Sequence, residues 1–130
     1  MKTYTSRFVL FVSACLFAGS SAYAMTPTTP DLIIGKTTQT SSTSWTVKVK
    51  NIGNGDSAPT TLKMIATPGG SYSCPVVAIK AGAVADVPCK MPFKSRAGMR
   101  CEFILNPNKT IAESSYSNNR TTTLTNPKFN

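Results

Sequence analysis

The sequence predicts an all-β protein, built as an antiparallel β-sandwich of about seven strands. Apolar and polar residues alternate over short stretches between residues 31 and 125, and this period of two is typical of strands with one buried face. Clusters of Gly, Pro, Asn and Asp separate these stretches, as turns between strands do. No stretch shows the apolar spacing of an amphipathic helix. Short strands with regular turns favour a sandwich.

The first three strands are predicted in the first half of this region. DLIIGK, residues 31–36, is a short apolar run after a polar, Pro-containing segment. In SWTVKVKNI, residues 44–52, Trp and two Val share one face, while Thr and two Lys share the other. NIGNGDSAP, residues 51–59, has the composition of a turn. TTLKMIAT, residues 60–67, then places Leu, Met and Ala on one face.

Four further strands are predicted in the second half. SYSCPVVAI, residues 71–79, follows a Pro-Gly-Gly turn, and KAGA, residues 80–83, is the next turn. Residues 87–91 and 99–105 each carry apolar residues and one cysteine on a single face, so each is predicted as a strand. RTTTLT, residues 120–125, is the last strand.

The first 24 residues are predicted to be a secretory signal peptide. Lys2 and Arg7 give a positive start, Phe8 to Ala18 form an apolar run of 11 residues, and Ala22-Tyr23-Ala24 is a small-x-small cleavage site. The apolar run is too short to span a bilayer core of about 30 Å. We therefore expect export to the periplasm or beyond the cell, with no transmembrane segment left after cleavage.

Lipid attachment is the alternative for this segment. Val12-Ser13-Ala14-Cys15 resembles a bacterial lipobox, and cleavage there would anchor the protein through Cys15. The apolar run continues past Cys15 and an Ala-x-Ala site follows, so ordinary cleavage after Ala24 is favoured. Of the 130 residues, removal of 24 leaves 106, residues 25–130, enough for a single domain with one core.

The chain is strongly basic, with 14 Lys and Arg against 5 Asp and Glu. Removal of Lys2 and Arg7 leaves 12 basic and 5 acidic residues, a net charge of +7. A surface of this charge favours anionic partners. We expect no nucleic-acid partner, because the chain has no RNA-binding aromatic motif and carries an export signal.

Four segments of the sequence together form a recognisable pattern: PDLIIG at 30–35, WTVKVKNIGNGDS at 45–57, VVAIKAGAVADV at 76–87 and FILNPNKTIAESSYSNN at 103–119. In this order they resemble the CARDB family, the cell-adhesion-related domain found in bacteria. The most specific elements are Lys50-Asn51-Ile52-Gly53 with Asp56, and Ile111-x-Glu113 followed by Asn118-Asn119. The resemblance runs from Pro30 to about Leu124.

The resemblance implies an immunoglobulin-like or fibronectin-type sandwich without catalytic activity. Such domains are usually modules of large surface proteins, often in tandem, whereas we expect a single copy in this chain. The chain departs from the family pattern in the loop after the sixth strand. Here Asn106, Asn108 and Tyr116 stand where the family often has acidic residues.

The composition also argues against an enzyme. The chain has no His, the commonest general base and the usual partner of a Ser or Cys nucleophile. Asp31, Asp86 and Glu102 lie on different predicted strands, so no pair of carboxylates is expected. The cysteines lack the spacing of a zinc site. We therefore predict no catalytic residues, no resident metal and no cofactor.

Glu113 is predicted to be a structural clasp. It lies among Ser and Asn residues, where its carboxylate can accept hydrogen bonds from N–H groups of its own loop. Asn118 and Asn119 are expected to bond their own backbone. A calcium site is the alternative, since the turn and the loop concerned should meet at one end of the sandwich. Its oxygen ligands would be Asp56, Glu113, Asn106 and Asn108.

A basic cluster is the candidate binding site for an anionic ligand. Lys90, Lys94, Arg96 and Arg100 lie close together in sequence, with Phe93 among them. A flexible loop of this composition, at the end of the sandwich opposite the clasp, could engage phosphate or sulfate groups. The alternative is a solvated loop that keeps strand edges from pairing.

Cleavage of the signal peptide leaves three cysteines, Cys74, Cys89 and Cys101. An oxidising location favours a disulfide, and an odd count leaves one thiol over. Cys74 and Cys89 flank the turn at residues 80–83, so folding back on that turn would bring them level. A bridge from Cys89 to Cys101 across the sandwich is the rival. We favour Cys74–Cys89, with Cys101 as a buried free thiol.

Two functions are consistent with these features. The first is an exported, non-enzymatic binding or adhesion module of the bacterial cell envelope or secretome, with a protein or an anionic glycan of the cell surface as partner. The second is a structural accessory, a subunit or spacer that completes an envelope or secretion assembly.

Overall fold

The computed structural model describes residues 27–129, and the predicted signal peptide, residues 1–24 with Cys15, lies outside them. The described chain forms seven strands and one 3-10 turn, Pro127–Phe129. No helix in this part of the chain is long and apolar enough to cross a membrane. The strands are β1 (Leu32–Gln39), β2 (Ser44–Asn51), β3 (Thr60–Thr67), β4 (Gly70–Val76), β5 (Val84–Lys90), β6 (Arg100–Leu105) and β7 (Arg120–Leu124).

The strands form two antiparallel sheets packed face to face. One has three strands in the order β1-β2-β5, and the other has four in the order β4-β3-β6-β7. The connections from β2 to β3, from β4 to β5 and from β5 to β6 each cross from one sheet to the other. This arrangement confirms the predicted immunoglobulin-like sandwich of seven strands.

The core lies between the sheets and follows the alternation of the sequence. In β2, the side chains of Trp45, Val47 and Val49 are buried, while Lys48 and Lys50 on the other face are exposed. Trp45 packs edge-on against Phe103 of β6, with 5.6 Å between the ring centroids. The central strands of the two sheets are thus joined by aromatic contact.

β1 differs from its prediction in length. It continues past the predicted end at Lys36 as far as Gln39. Its register with β2 shifts between Ile34 and Thr37, so Gly35 and Lys36 form a β-bulge. The bulge interrupts the alternation of inward and outward side chains, which is why the sequence pattern ends there.

β1 defines the two ends of the sandwich. At its start, the N–H of Leu32 meets the loop between β6 and β7, residues 106–119. At its finish, the side chain of Gln39 meets the loop between β5 and β6, residues 91–99. We call these the Leu32 end and the Gln39 end, and the two loops lie at opposite ends, as the sequence predicted.

A disulfide joins Cys74 of β4 to Cys89 of β5, with 5.4 Å between their Cα atoms. The predicted pairing is confirmed, but the expected geometry is wrong. β4 and β5 do not fold back on each other as a hairpin. They are edge strands of different sheets, so the bridge connects the two sheets along one side of the sandwich. Cys101 is a buried free thiol on β6.

Candidate functional site

A groove at the Gln39 end of the sandwich combines apolar and basic residues. Its volume is about 500 Å³. One wall comes from the turn between β3 and β4, and the other comes from the loop between β5 and β6. The groove therefore joins two segments that are distant in sequence. The residues that line it are Pro68, Gly69, Phe93, Lys94, Ser95, Arg96 and Met99.

The first half of the 91–99 loop is held against the connection between β1 and β2. The N–H of Met91 donates to the carbonyl of Thr43 at 2.8 Å, and the N–H of Ser95 donates to the carbonyl of Ser42 at 2.6 Å. The side-chain amide of Gln39 donates to the hydroxyl of Ser95 at 2.9 Å in a buried position. These bonds fix the backbone on both sides of Lys94.

The second half of the loop is held by the segment after β7. The hydroxyl of Thr125 donates to the carbonyl of Arg96 at 2.6 Å, and the N–H of Thr125 donates to the carbonyl of Met99 at 2.9 Å. The N–H of Met99 also donates to the Arg96 carbonyl, closing a turn at Gly98, where φ is +74°. The sequence suggested a flexible loop, whereas the structure anchors it at both halves.

Phe93 gives the groove an aromatic wall. Its ring packs edge-on against Tyr72 of β4, with 6.1 Å between centroids. Gly69 lies directly against it, because a Cβ atom added to Gly69 would lie 2.5 Å from Cζ of Phe93. Only glycine allows the backbone to approach the ring this closely. The aromatic wall is therefore positioned by two other residues from β4 and the turn before it.

The groove carries positive charge without a facing carboxylate. Lys94 and Arg96 are exposed, and none of the lining residues is acidic. The ion pairs found within residues 27–129 lie elsewhere, between Lys48 and Asp86 and between Arg120 and Glu102. The two groove cations are thus available to an anion, next to an apolar surface that could hold an uncharged part of the same ligand.

The predicted basic cluster is divided by the structure. Lys94 and Arg96 line the groove, whereas Lys90 and Arg100 do not. Lys90 ends β5, and Arg100 begins β6, where it pairs with Thr67. The second wall of the groove, from the turn between β3 and β4, was not predicted from the sequence. The Pro-Gly-Gly motif indicated a turn there, but nothing in the sequence indicated which loop would pack against it.

Glu113 forms a clasp at the Leu32 end. Its Oε1 accepts a hydrogen bond from the N–H of Leu32 at 2.7 Å. Its Oε2 accepts from the side-chain amides of Asn106, at 2.8 Å, and Asn119, at 2.6 Å. The carboxylate therefore ties the loop between β6 and β7 to the first strand of the other sheet.

The partners of the clasp differ from those expected. The N–H that Glu113 binds belongs to Leu32 of β1, not to its own loop. Asn119 donates to Glu113, and Asn118 donates to the carboxylate of Asp31 at 3.1 Å, so neither amide donates to its own backbone. The loop folds back across the start of β1, which brings donors and acceptors of another strand nearest.

Asn51 is a second polar anchor at this end, and it is fully buried. Its Oδ1 accepts from the N–H groups of Asp31, at 3.1 Å, and Gly53, at 3.0 Å. Its Nδ2 donates to the carbonyls of Gly55, at 2.8 Å, and Ile79, at 3.0 Å. The sequence pointed to Asn51 only within a motif and not to this role, although its place on the inward face at the end of an alternating strand was a signal.

The four residues of the calcium alternative make different contacts. Asp56 accepts a hydrogen bond from the N–H of Ala81 at 2.9 Å, and Asn108 is exposed. Of the set, Asn106 alone bonds to Glu113, and it does so as a donor. Among the residues that the structure describes, no three His, Cys, Asp or Glu side chains form a group that could hold a metal.

Comparisons with known proteins agree with this architecture. A model of the CARDB family matches residues 29–123. No curated protein matches the chain. The fold is similar to the solution NMR structure of a domain of a candidate cell-surface protein from Methanosarcina acetivorans. The TM-score is 0.64 at 19% identity, over 74% of this chain and 90% of that one.

A second similar structure is the crystallised CARDB domain of a Pyrococcus furiosus protein, in complex with di-metal ions. The TM-score is 0.57 at 17% identity, over 75% of this chain and 93% of that one. At such low identities the likeness shows the fold, and function depends on the residues of each site.

Proposed function

Because this chain belongs to the CARDB family, as its motifs predicted, we propose that it is an exported, non-enzymatic module that binds an anionic polymer of the bacterial cell surface. The family supports a role as a surface module, and the signal-like first 24 residues support export. The charge of the chain supports an anionic partner.

The groove at the Gln39 end is the observation that carries this proposal. It places Lys94 and Arg96 beside the ring of Phe93 on an anchored backbone. A sugar ring or another uncharged part of a polymer would lie against Phe93, while its sulfate, phosphate or carboxylate groups would pair with the two cations. Because the site is open at the surface, it suits a repeating chain rather than an enclosed small molecule.

Calorimetric titration of the protein from Met25 to Asn130 tests the proposal. Heparin serves as the polyanionic probe, and uncharged dextran is the control ligand. We expect heparin alone to bind, and its affinity to fall with salt, because the Debye length shortens from about 10 Å at 0.1 M to about 3 Å at 1 M.

Matched variants locate the binding. The double variant Lys94→Ala/Arg96→Ala removes the two groove cations, whereas Lys50→Ala/Lys80→Ala removes the same charge from exposed positions outside the groove. We expect the first to lose heparin binding and the second to retain most of it. Equal losses would mean that net charge alone binds heparin and would refute the groove. Failure to bind any polyanion would favour the structural accessory or spacer.

A further inference from the structure

Each sheet of the sandwich has two edge strands, β1 and β5 in one and β4 and β7 in the other. An edge strand presents unpaired N–H and C=O groups to which another strand can add. Proteins usually obstruct such edges with prolines, bulges or covering side chains. The four edges of this protein are not obstructed equally.

Three of the edges are obstructed. β4 contains Pro75 and β5 contains Pro88, and each proline removes an N–H donor from its strand. β1 is blocked twice along its length. Glu113 covers the N–H of Leu32 at its start, and the bulge at residues 35–36 breaks its middle.

β7 has no such protection. Its sequence is Arg-Thr-Thr-Thr-Leu, and it pairs with β6 in an unbroken register. Asn119 accepts a hydrogen bond from the N–H of Leu105, and the N–H of Thr125 donates to Met99. In an antiparallel ladder, alternate residues bond to the neighbouring strand. The backbone N–H and C=O groups of the odd-numbered residues therefore point towards β6. Those of Arg120, Thr122 and Leu124 point outward, away from the sheet.

A cleft of about 220 Å³ lies beside this open edge, between β7 and β1. A strand added to β7 would run alongside β1 and place its inward side chains over the cleft. The lining comes from residues 36–39 of β1, from Trp45, and from Thr123, Leu124 and Asn126.

Trp45 lines the cleft, and its buried indole N–H is a hydrogen-bond donor that lacks an acceptor. Nε1 of Trp45 is buried and has no partner among residues 27–129. A buried donor without an acceptor is costly, so the indole N–H favours a ligand that brings one. Lys36 is the only charged residue that lines the cleft. A carboxylate on the ligand would therefore serve both as the acceptor for the indole N–H and as the partner of Lys36.

We propose that β7 is a strand-addition site for an extended, acidic segment of a partner protein. The segment pairs with the outward backbone groups of Arg120, Thr122 and Leu124. One of its Asp or Glu side chains enters the cleft beside Lys36, and a small opening of the cleft lets it accept from the buried indole N–H of Trp45. A second copy of this chain fits less well, because residues 25–130 carry a net charge of +7 and would repel each other.

This site lies on β7 and β1, apart from the polymer-binding groove, so the two proposals can fail independently. The chain has a single tryptophan, so one indole cross-peak in a ¹H–¹⁵N correlation spectrum reports the state of Trp45. The probes are short synthetic peptides of alternating Thr and Val with one central Glu, Gln or Lys. We expect the Glu peptide to bind most tightly and to move the indole peak downfield.

The backbone amides give a second readout. In the free protein, the amides of Thr122 and Leu124 should exchange with deuterium faster than those of Thr121 and Thr123, which face β6. Addition of the Glu peptide should slow the exchange of the two outward amides. Slow exchange at Thr122 before any addition would mean that the edge is already covered and would overturn the proposal.

Two variants test the contacts. Thr122→Pro removes an outward N–H, and Thr122→Ser is its matched control. Lys36→Glu reverses the charge at the cleft without altering β7, and it keeps the test decisive if Thr122→Pro does not fold. We expect Thr122→Pro and Lys36→Glu each to weaken the Glu peptide about tenfold, the effect of losing roughly 1.4 kcal/mol. Thr122→Ser and Lys94→Ala/Arg96→Ala should bind normally.

Several results would contradict the proposal. Equal affinity for the Glu and Lys peptides would show that the site does not prefer an acidic segment. An indole peak that does not move on binding would show that Trp45 does not donate to the peptide. Sedimentation that shows a dimer abolished by Thr122→Pro would assign the edge to a second copy of the chain instead.

Discussion

Removal of the Glu113 carboxylate should destabilise the sandwich more than any other single charge change at its surface. In Glu113→Ala, the N–H of Leu32 loses its acceptor in a residue with no exposed surface. The amide of Asn119 loses its acceptor as well, in a residue that is 4% exposed. The amide of Asn106 keeps a second acceptor, the carbonyl of Ile111 at 2.8 Å.

The size of the destabilisation follows from these two N–H donors that lose their acceptors. A buried donor left unsatisfied costs about 1–3 kcal/mol, and two of them give roughly 2–6 kcal/mol. Water reaches part of the site, because Glu113 itself is only half-buried, so we expect a value near the lower end of that range. For a domain of this size, about 2–3 kcal/mol corresponds to a fall of roughly 10–20 °C in Tm.

Glu113→Gln tests the mechanism more sharply than the alanine variant. Its amide keeps the size of the carboxylate but replaces one acceptor oxygen with a donor, which must face either Leu32 or the two asparagine amides. We therefore expect Gln to be nearly as destabilising as Ala in urea titrations. Glu102→Gln is the control, since its ion pair with Arg120 is at the surface and worth about 0–1 kcal/mol.

A Glu113→Gln protein as stable as the unaltered one would refute this account of the clasp. A large rise in Tm with calcium, lost in Glu113→Gln, would assign the carboxylate to a metal site instead. Melting curves in calcium and in EDTA distinguish the two outcomes.

Three other variants, one of them with a matched control, probe the remaining features. Cys74→Ala/Cys89→Ala opens a loop with a sequence separation of 15 and should cost about 3 kcal/mol, measured by urea titration under oxidising conditions. Gly69→Ala should cost about 1–3 kcal/mol and weaken heparin binding, because its Cβ displaces Phe93. Gly82→Ala, which also has positive φ but nothing near its Cβ, is the control and should leave heparin binding unchanged. Burial raises the pKa of the Cys101 thiol above 9.0, so the folded state holds the proton more tightly than the unfolded one. Compared with Cys101→Ala, the unaltered protein should lose stability as pH rises above 9.0, and iodoacetamide should label it only after unfolding.

The strands could be predicted because burial imposes a local pattern. Trp45, Val47 and Val49 alternate with exposed lysines, so β2 was visible in its sequence. The second half of β1, residues 37–39, was not predicted as a strand, because the bulge at Gly35 and Lys36 shifts the register and breaks the alternation. A local pattern predicts a strand only as far as the strand keeps its period.

Contacts between distant segments were harder to predict. The pairing of Cys74 with Cys89 was inferred from their nearness in sequence, yet it arises because the edges of two sheets meet. Likewise, the cations at Lys94 and Arg96 were visible, but the wall that Gly69 forms against Phe93 was not. Sequence adjacency shows which residues are available, whereas the packing of the sheets decides which of them face one another.

The course of β1 and β7 has a mechanical consequence. β1 begins at the Leu32 end, and β7 finishes at the Gln39 end, where the N–H of Asn126 donates to Gln39 at 2.7 Å. A force that pulls residues 30 and 126 apart therefore acts along both strands and shears their hydrogen bonds together rather than opening them one at a time. The disulfide keeps the residues between Cys74 and Cys89, a separation of 15, from being stretched. The fully extended oxidised chain would therefore be about 50 Å shorter than the reduced one. A single-molecule trace should lengthen by that amount when the bridge is reduced.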